Sequence, residues 1–211
     1  MLEWYRPGFS LEALMDETEA LLSSIWEDGP APAIRTSYRD LFLACYGVDP
    51  HTATTSELRR LAAHHVSTEH IDDHGDDGTR ADYLDALFSA GVEPGLSALT
   101  FVVDYPACQS ALACIEDGVA RRFEVFVNGM ELANGYDELT DPAVLSARFE
   151  QNNEMRDRRG LPKVAADPGL LGALTAMPDC AGIAVGLDRV LMNLTGARSL
   201  AEVIAFTSPR A

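Results

Sequence analysis

Residues 122–134 read RFEVFVNGMELAN, and this stretch decides the fold. Residues 122–127 alternate between polar and apolar side chains as a half-buried strand does, and residues 130–134 alternate again. Between them stands Asn128-Gly129, a strong sequence signal for a two-residue hairpin turn. The stretch therefore predicts two antiparallel strands joined by a tight turn.

Working outward from this hairpin, strand-like and helix-like segments alternate irregularly along the chain. Further strands are predicted at residues 1–7, 33–35, 99–103 and 181–186, and helices at 11–25, 37–46, 55–65, 80–91, 142–158, 168–176 and 187–194. Strand pairs embedded among helices, without a regular strand–helix–strand repeat, indicate an α+β fold in which helices flank an antiparallel sheet. We expect one domain over residues 1–211, with a helical insertion at about 37–95.

The charge of the chain bears on its partners. It holds 16 Lys and Arg against 33 Asp and Glu, a formal net charge of −17. Affinity for nucleic acid comes largely from cations that neutralise phosphates, so a tRNA partner is disfavoured and a small molecule or a basic protein surface is favoured. No apolar run approaches the ~20 residues of a membrane span, and the N-terminus lacks the pattern of a signal peptide, so we expect no membrane association and a cytoplasmic location.

Cysteine and histidine invite two other interpretations. Cys45, Cys108, Cys114 and Cys180 lack CxxC spacing and stand in apolar contexts, which predicts buried, reduced, structural thiols. Residues 64–77 (HHVSTEHIDDHGDD) are rich in potential metal ligands, but their spacing matches no helical or loop pattern of a metal site. A solvated surface turn is the better interpretation of that stretch.

Two carboxylates in and after the hairpin could carry chemistry. Glu131 and Glu138 stand seven residues apart, on the second hairpin strand and just past it. If Asn134-Gly135 bends the chain, both can face one cleft, and paired carboxylates beside a polyphosphate suit Mg²⁺. A charged hairpin surface is the ordinary alternative.

Two other segments are candidates for ligand contacts. In residues 182–189 (GIAVGLDR), Gly186 lets a ligand approach the backbone closely, and Arg189 follows in an otherwise apolar helix. Such an arginine can bind phosphate, or it can form an ordinary surface ion pair. At the N-terminus, Glu3 and Tyr5 fall on the same face of a strand, where a carboxylate and a phenol could bind an ammonium group.

Together, and in this order, these segments resemble lysine-type class II aminoacyl-tRNA synthetases. Residues 1–5 look like the end of motif 2, residues 122–141 like the conserved strands with the metal-binding glutamates, and residues 182–189 like motif 3. The strongest resemblance is to the elongation factor P (R)-β-lysine ligase family, a shortened lysyl-tRNA synthetase relative. It extends to residues 100–113, 159–162, 177–182 and 201–206.

The resemblance implies an activity and its residues. ATP and the carboxylate of β-lysine would form an acyl-adenylate, and the acyl group would pass to a lysine of elongation factor P. By position, the resemblance implies ATP contacts at Glu131, Leu132, Gly186 and Arg189, with Arg189 as the catalytic residue; Mg²⁺ at Glu131 and Glu138; and contacts to the amino acid at Glu3, Tyr5, Glu138 and Ala184. Lysyl-tRNA synthetases typically carry glycine where Ala184 stands, so its methyl group favours the β-lysine branch.

The resemblance also shows what these residues do not contain. Motif 1 and the Phe-Arg-x-Glu strand of motif 2 are absent, so we expect an N-terminally truncated domain. Losing one charge-stabilising donor typically costs about 10²- to 10³-fold in rate, which makes activity uncertain. Three interpretations stay open: a ligase fragment, an inactive paralogue that binds nucleotide or amino acid, and a lysyl-tRNA synthetase fragment. A homodimer would need surfaces other than motif 1.

Overall fold

The computed structural model describes residues 1–26, 32–72 and 77–207. Within these residues a single sheet has the strand order β1-β7-β6-β5-β3-β2, and β4 pairs with β5. The strands are β1 Leu2–Pro7, β2 Ile34–Ser37, β3 Thr100–Pro106, β4 Ile115–Glu116, β5 Val119–Val127, β6 Met130–Asp137 and β7 Cys180–Val185. The helices are α1 Leu11–Ile25, α2 Tyr38–Tyr46, α3 Thr55–His65, α4 Asp77–Leu87, α5 Pro142–Arg158, α6 Pro168–Leu174 and α7 Leu187–Thr195. The α+β prediction is confirmed.

The hairpin forms where the sequence predicts it. Asn128 and Gly129 both have positive φ, 52° and 70°, as a two-residue turn between right-handed twisted strands requires. A register shift follows at once, because Val125 pairs with Ala133 whereas Phe126 pairs with Glu131. Leu132 is therefore the extra residue of a β-bulge, which sets the faces to which the later side chains of β6 point.

The sheet departs from the prediction at its far edge. β2 pairs with β3 in parallel, whereas every other pairing in the described sheet is antiparallel. Asp104, expected to end the strand, instead has φ of 58° and lies at a register shift, after which β3 continues to Pro106. A β-bulge at Asp104 lets β3 continue its pairing with β5, which a break in the strand would have ended. The two-residue strand β4 was not predicted, because two residues carry no periodic signal.

Helix α1 covers one face of the sheet. Ser10 caps this helix by accepting a hydrogen bond from the backbone of Ala13 at 3.2 Å. The buried face of α1 packs with alternate residues of the strands in one apolar cluster. That cluster includes Leu11, Leu14, Met15, Leu22, Phe101, Phe123, Val125, Leu132, Ala133, Ala181, Ile183 and Val185. Residues between these on β6 and β7 must point to the opposite face of the sheet.

Helices α2, α3 and α4 pack together in a second apolar cluster with the far part of the sheet. It includes Tyr38, Phe42, Leu58, Leu84, Val102, Tyr105 and Phe126. The three helices fall within the predicted helical insertion at about 37–95, whose treatment as part of one domain stays a prediction. No helix in the described residues combines the length and apolar character needed to cross a bilayer.

The prediction that the four cysteines are buried held only in part, and the polar stretch at residues 64–77 is described only in part. All four cysteines are free, but Cys45 is exposed, Cys108 and Cys114 are partly buried, and only Cys180 is buried. The prediction of burial was wrong for Cys45, which lies in the last turn of α2. In the polar stretch, residues 73–76 lie outside the described residues, and no three His, Cys, Asp or Glu side chains converge on a metal-sized site in the described part of the chain.

Candidate active site

The face of the sheet opposite α1 gathers most of the predicted site residues. Tyr5 pairs with Gly182 and Glu3 with Ala184 across β1 and β7. Because Ala181, Ile183 and Val185 pack under α1, these four residues face the other way. Glu3 and Tyr5 thus share a face, as their alternation predicts.

One end of this face is an acidic pocket built around a glycine. A Cβ atom on Gly182 would lie 2.3 Å from Glu138 Oε1 and 2.6 Å from Tyr5 Cδ1. Real Cβ atoms essentially never approach that closely, so only glycine leaves room for the carboxylate and the phenol together. The pocket brings Glu138 and Tyr5 into contact range, with Glu3 on the same face.

The electrostatics of this pocket favour a cationic ligand. Burial, and then the neighbouring Asp137, raise the pKa of Glu138 to about 7. Burial, then Glu138 and Glu3, also raise the pKa of the Tyr5 phenol. No hydrogen bond to the Glu138 carboxylate is present among the described residues, so an ammonium group would supply the partner that this desolvated acid needs.

The other end of the face is a cation–carboxylate site. Arg189, in the first turn of α7, donates from Nη1 to the backbone oxygen of Glu131 at 2.8 Å and lies 3.2 Å from Glu131 Oε2. Both side chains are partly exposed, 48% for Arg189 and 37% for Glu131. They line a cavity of about 410 Å³ together with Gly129 and Met130. The exposed guanidinium of Arg189 is thus available to an anion such as a phosphate.

The two predicted metal ligands are too far apart to hold one ion. Glu131 stands near the start of β6 and Glu138 just past its end, so they are separated by roughly 20 Å of strand at about 3.3 Å per residue. Mg²⁺ binds its ligands at about 2.0–2.1 Å. The expectation that Glu131 and Glu138 pair at one Mg²⁺ is therefore corrected, and Glu138 belongs to the acidic pocket instead.

Glu124 is the carboxylate that the sequence interpretation missed. It lies on β5 opposite Asn134, two residues before Phe126, which pairs with Glu131. Glu124 and Glu131 are thus diagonal neighbours on one face, about 7–8 Å apart between backbones. In the sequence, Glu124 follows Phe123 and precedes Val125, which is also the pattern of a solvent-facing strand residue. Only the depth of its burial, with a side chain 15% exposed, sets it apart.

The surroundings of Glu124 suit a divalent cation. Its Oε2 accepts a hydrogen bond from the Tyr105 hydroxyl at 2.7 Å, and it forms an ion pair with Arg122. Burial raises its pKa, Arg122 lowers it, and Glu131 raises it again through like-charge repulsion. The amide Oδ1 of Asn134 is buried with no hydrogen-bond partner in the structure. Two carboxylates and a free amide oxygen on one face are the hard ligands that Mg²⁺ prefers.

Two other predicted ATP-contact residues, Leu132 and Gly186, can offer a ligand only their backbone atoms. The Leu132 side chain is 1% exposed and lies in the cluster under α1, on the face away from the site. Its carbonyl already accepts the Gly186 N–H at 2.8 Å. Gly186 is the N-cap of α7 with an ordinary negative φ of −77°, and a Cβ added there would meet no atom closer than 3.6 Å. Ala184 faces the site and is half-buried.

A largely antiparallel sheet with the acidic pocket and an acid–arginine site on one face is of the class II aminoacyl-tRNA synthetase type. The chain belongs to the family described as tRNA synthetases class II (D, K and N), whose model matches residues 1–210. It is 45% identical over 217 aligned residues to proteins named elongation factor P–(R)-β-lysine ligase from Salmonella typhi, Salmonella dublin and Salmonella enteritidis.

The alignment with each of these relatives covers 100% of this chain and 65% of the relative. The resemblance inferred from the motifs is thereby confirmed, and the chain spans about two-thirds of the length of the proteins that it matches.

Proposed function

We propose that this chain carries the catalytic face of an ATP-dependent ligase that activates (R)-β-lysine and transfers it to a lysine of elongation factor P. The observation that carries the proposal is the pair of sites on one face: the pocket of Glu138 and Tyr5 for an amine, and the site of Glu131 and Arg189 for a nucleotide. The names of the relatives indicate the same activity.

The amine pocket would select and orient the amino acid. A desolvated carboxylate beside a phenol binds an ammonium group by charge-assisted hydrogen bonds. Ala184, which pairs with Glu3 on the same face, would shape the rest of the pocket. The carboxylate of the bound amino acid would then extend along the sheet towards Arg189.

The nucleotide site would align the triphosphate for attack. The carboxylate oxygen of β-lysine attacks the α-phosphorus of ATP, and the bond to the bridging oxygen breaks to release pyrophosphate. The amine of the acceptor lysine then attacks the acyl carbon and releases AMP. Arg189 would neutralise phosphate charge, and this kind of chemistry depends mostly on positioning and electrostatic stabilisation.

Magnesium would be held by Glu124 and Glu131, where it would screen the phosphate oxygens. This assignment replaces the Glu131–Glu138 pair as the metal site. A protein acceptor is favoured over tRNA because the chain has a net charge of −17.

The direct test is ATP–pyrophosphate exchange by this chain with (R)-β-lysine, with α-lysine and without amino acid. We expect slow exchange that requires amino acid and is faster with (R)-β-lysine, because these residues lack the charge-stabilising arginine of the Phe-Arg-x-Glu strand. Glu138→Gln should abolish it, whereas Glu154→Gln on the exposed side of α5 should not. Saturable ATP binding without any exchange would replace the ligase with a nucleotide-binding module, and preference for α-lysine would move the chain to the lysyl-tRNA synthetase branch.

A further inference from the structure

Arg122 is a buried arginine on the same face of β5 as Glu124, and none of the assigned roles uses it. It is 9% exposed and lies on β5, two residues before Glu124. Its Nη1 donates to the backbone oxygen of Gln109 at 2.6 Å, and its Nη2 pairs with Glu124 Oε1. A buried guanidinium needs such partners, because an unpaired charge in the interior is costly.

The position of Arg122 is fixed from several sides. Its guanidinium carbon lies 4.3 Å from the ring centre of Tyr105 and 5.7 Å from that of Tyr136. The Gln109 side chain in turn donates to Asp85 of α4 at 2.6 Å. Arg122 is thus held by the Tyr105 and Tyr136 rings and by the turn at Gln109, which is bonded to α4. These contacts oppose any movement of the guanidinium along with the Glu124 carboxylate.

The Glu124 carboxylate is left with little freedom by these contacts. Oε1 accepts from Arg122 and, at 3.4 Å, from Asn134, and Oε2 accepts from Tyr105 at 2.7 Å. A carboxylate has about four acceptor positions, so about one remains, on Oε2. That remaining position belongs to the oxygen that Arg122 does not hold.

We propose that Arg122 is a positioning residue that holds Glu124 as a metal ligand on the face that it shares with Glu131. The inference rests on the proposed function, because it assigns the support of the metal site within it. Arg122 acts by fixing the rotamer of Glu124 and by offsetting part of the charge of two neighbouring carboxylates. Residues that orient a metal ligand in this way typically change metal affinity about 10- to 100-fold when mutated.

A purely structural ion pair is the competing explanation, and metal affinity separates the two. Mn²⁺ serves as the probe, because its binding can be followed by electron paramagnetic resonance with ATP present. We expect Arg122→Met to raise the dissociation constant of Mn²⁺ about 10- to 100-fold while the far-ultraviolet circular dichroism stays native. Arg122→Lys should be intermediate, because a point charge cannot bridge Gln109 and Glu124 as a planar guanidinium does.

Arg121→Met is the matched control. Arg121 is the adjacent residue of the same strand, but its ion pairs are with Glu12 and Glu116, away from the metal site. It removes the same net charge and should leave Mn²⁺ affinity within about twofold of the wild type, because exposed ion pairs contribute little.

Each outcome decides the question. An Arg122→Met variant with wild-type Mn²⁺ affinity overturns the inference, and so does an equal loss in Arg121→Met, which would show a general charge effect. If Arg122→Met does not fold, Tyr105→Phe takes its place: it removes only the hydrogen bond to Glu124, and unchanged Mn²⁺ affinity in that variant refutes the positioning network. Absence of Mn²⁺ binding in the wild type with ATP would instead reject the proposed function itself.

Discussion

Replacing Gly182 by alanine should damage the amine pocket far more than it damages the fold. The new Cβ would lie 2.3 Å from Glu138 Oε1 and 2.6 Å from Tyr5 Cδ1, where 3.0 Å is already closer than real Cβ atoms approach. The carboxylate is the end of a flexible side chain and can swing away. The Tyr5 ring, on the neighbouring strand β1, must shift as well.

The size of the effect follows from the clash. Inserting a methyl group into a filled space typically costs about 1–3 kcal/mol. Both groups that must move are the proposed partners of the substrate amine, so most of this cost should appear in binding. At about 1.4 kcal/mol per tenfold change, the affinity for (R)-β-lysine should fall by about 5- to 150-fold. ATP affinity should change little, because the nucleotide site lies at the other end of β6.

Isothermal calorimetry with (R)-β-lysine and, separately, with ATP and Mg²⁺ would measure both affinities. Gly172→Ala is the control, because a Cβ there meets nothing within 4 Å and helix α6 should tolerate alanine. If Gly182→Ala bound (R)-β-lysine as tightly as the wild type did, the amine pocket would have to lie elsewhere. An equal loss of ATP affinity would indicate a general collapse of the sheet.

Three further predictions concern charge and the core. Because the pKa of Glu138 is raised to about 7 from 4.5, the native state binds this proton more tightly than the unfolded chain does. The contribution of Glu138 to the free energy of unfolding should therefore decrease as pH rises from 4.5 to about 7. The affinity for the amine should increase over the upper part of that range, as Glu138 loses its proton. Glu138→Gln should flatten both pH profiles, the first measured by urea titration and the second by calorimetry. Arg189→Ala should weaken ATP binding about 10- to 100-fold, since hydrogen bonds to charged groups contribute about 1.5–3 kcal/mol. Arg60→Ala, at an exposed position on α3, should leave ATP binding unchanged. Equal losses of ATP affinity in the two variants would contradict the proposed phosphate contact of Arg189. Leu14→Ala, at a fully buried position, should lower the free energy of unfolding by about 2–5 kcal/mol in urea denaturation, and a loss below 1 kcal/mol would contradict its place in the core.

Local signals were read correctly from the sequence. The Asn128-Gly129 turn requires positive φ at both positions, and few residue pairs adopt that conformation, so the turn could be located within the sequence itself. The helices predicted at residues 11–25 and 142–158 are local in the same way, because the side chains of Ser10 and Asp141 accept hydrogen bonds from the first turn of their helices. Each of these features depends on residues within about four positions of one another.

Features that depend on distant partners were missed or misplaced. The parallel pairing of β2 with β3 joins residues more than sixty positions apart, which no local pattern encodes. The positive φ of Asp104 arises where β3 must keep its pairing with β5 across a register shift. The exposure of Cys45 likewise depends on where the helical layer ends, since its sequence neighbours are apolar.

By itself, the sequence determined the α+β class, the hairpin and the family, because periodicity, turn chemistry and motif order are written along the chain. The tertiary structure decided which carboxylates meet. Glu131 and Glu138 are near in sequence, yet strand geometry places them at opposite ends of β6. Glu124 becomes a neighbour of Glu131 only because the hairpin folds β6 back on β5 and the bulge at Leu132 sets the register. An extended strand separates residues close in sequence, and cross-strand pairing brings others together, so the proposed metal-binding pair could be assigned only from the folded sheet.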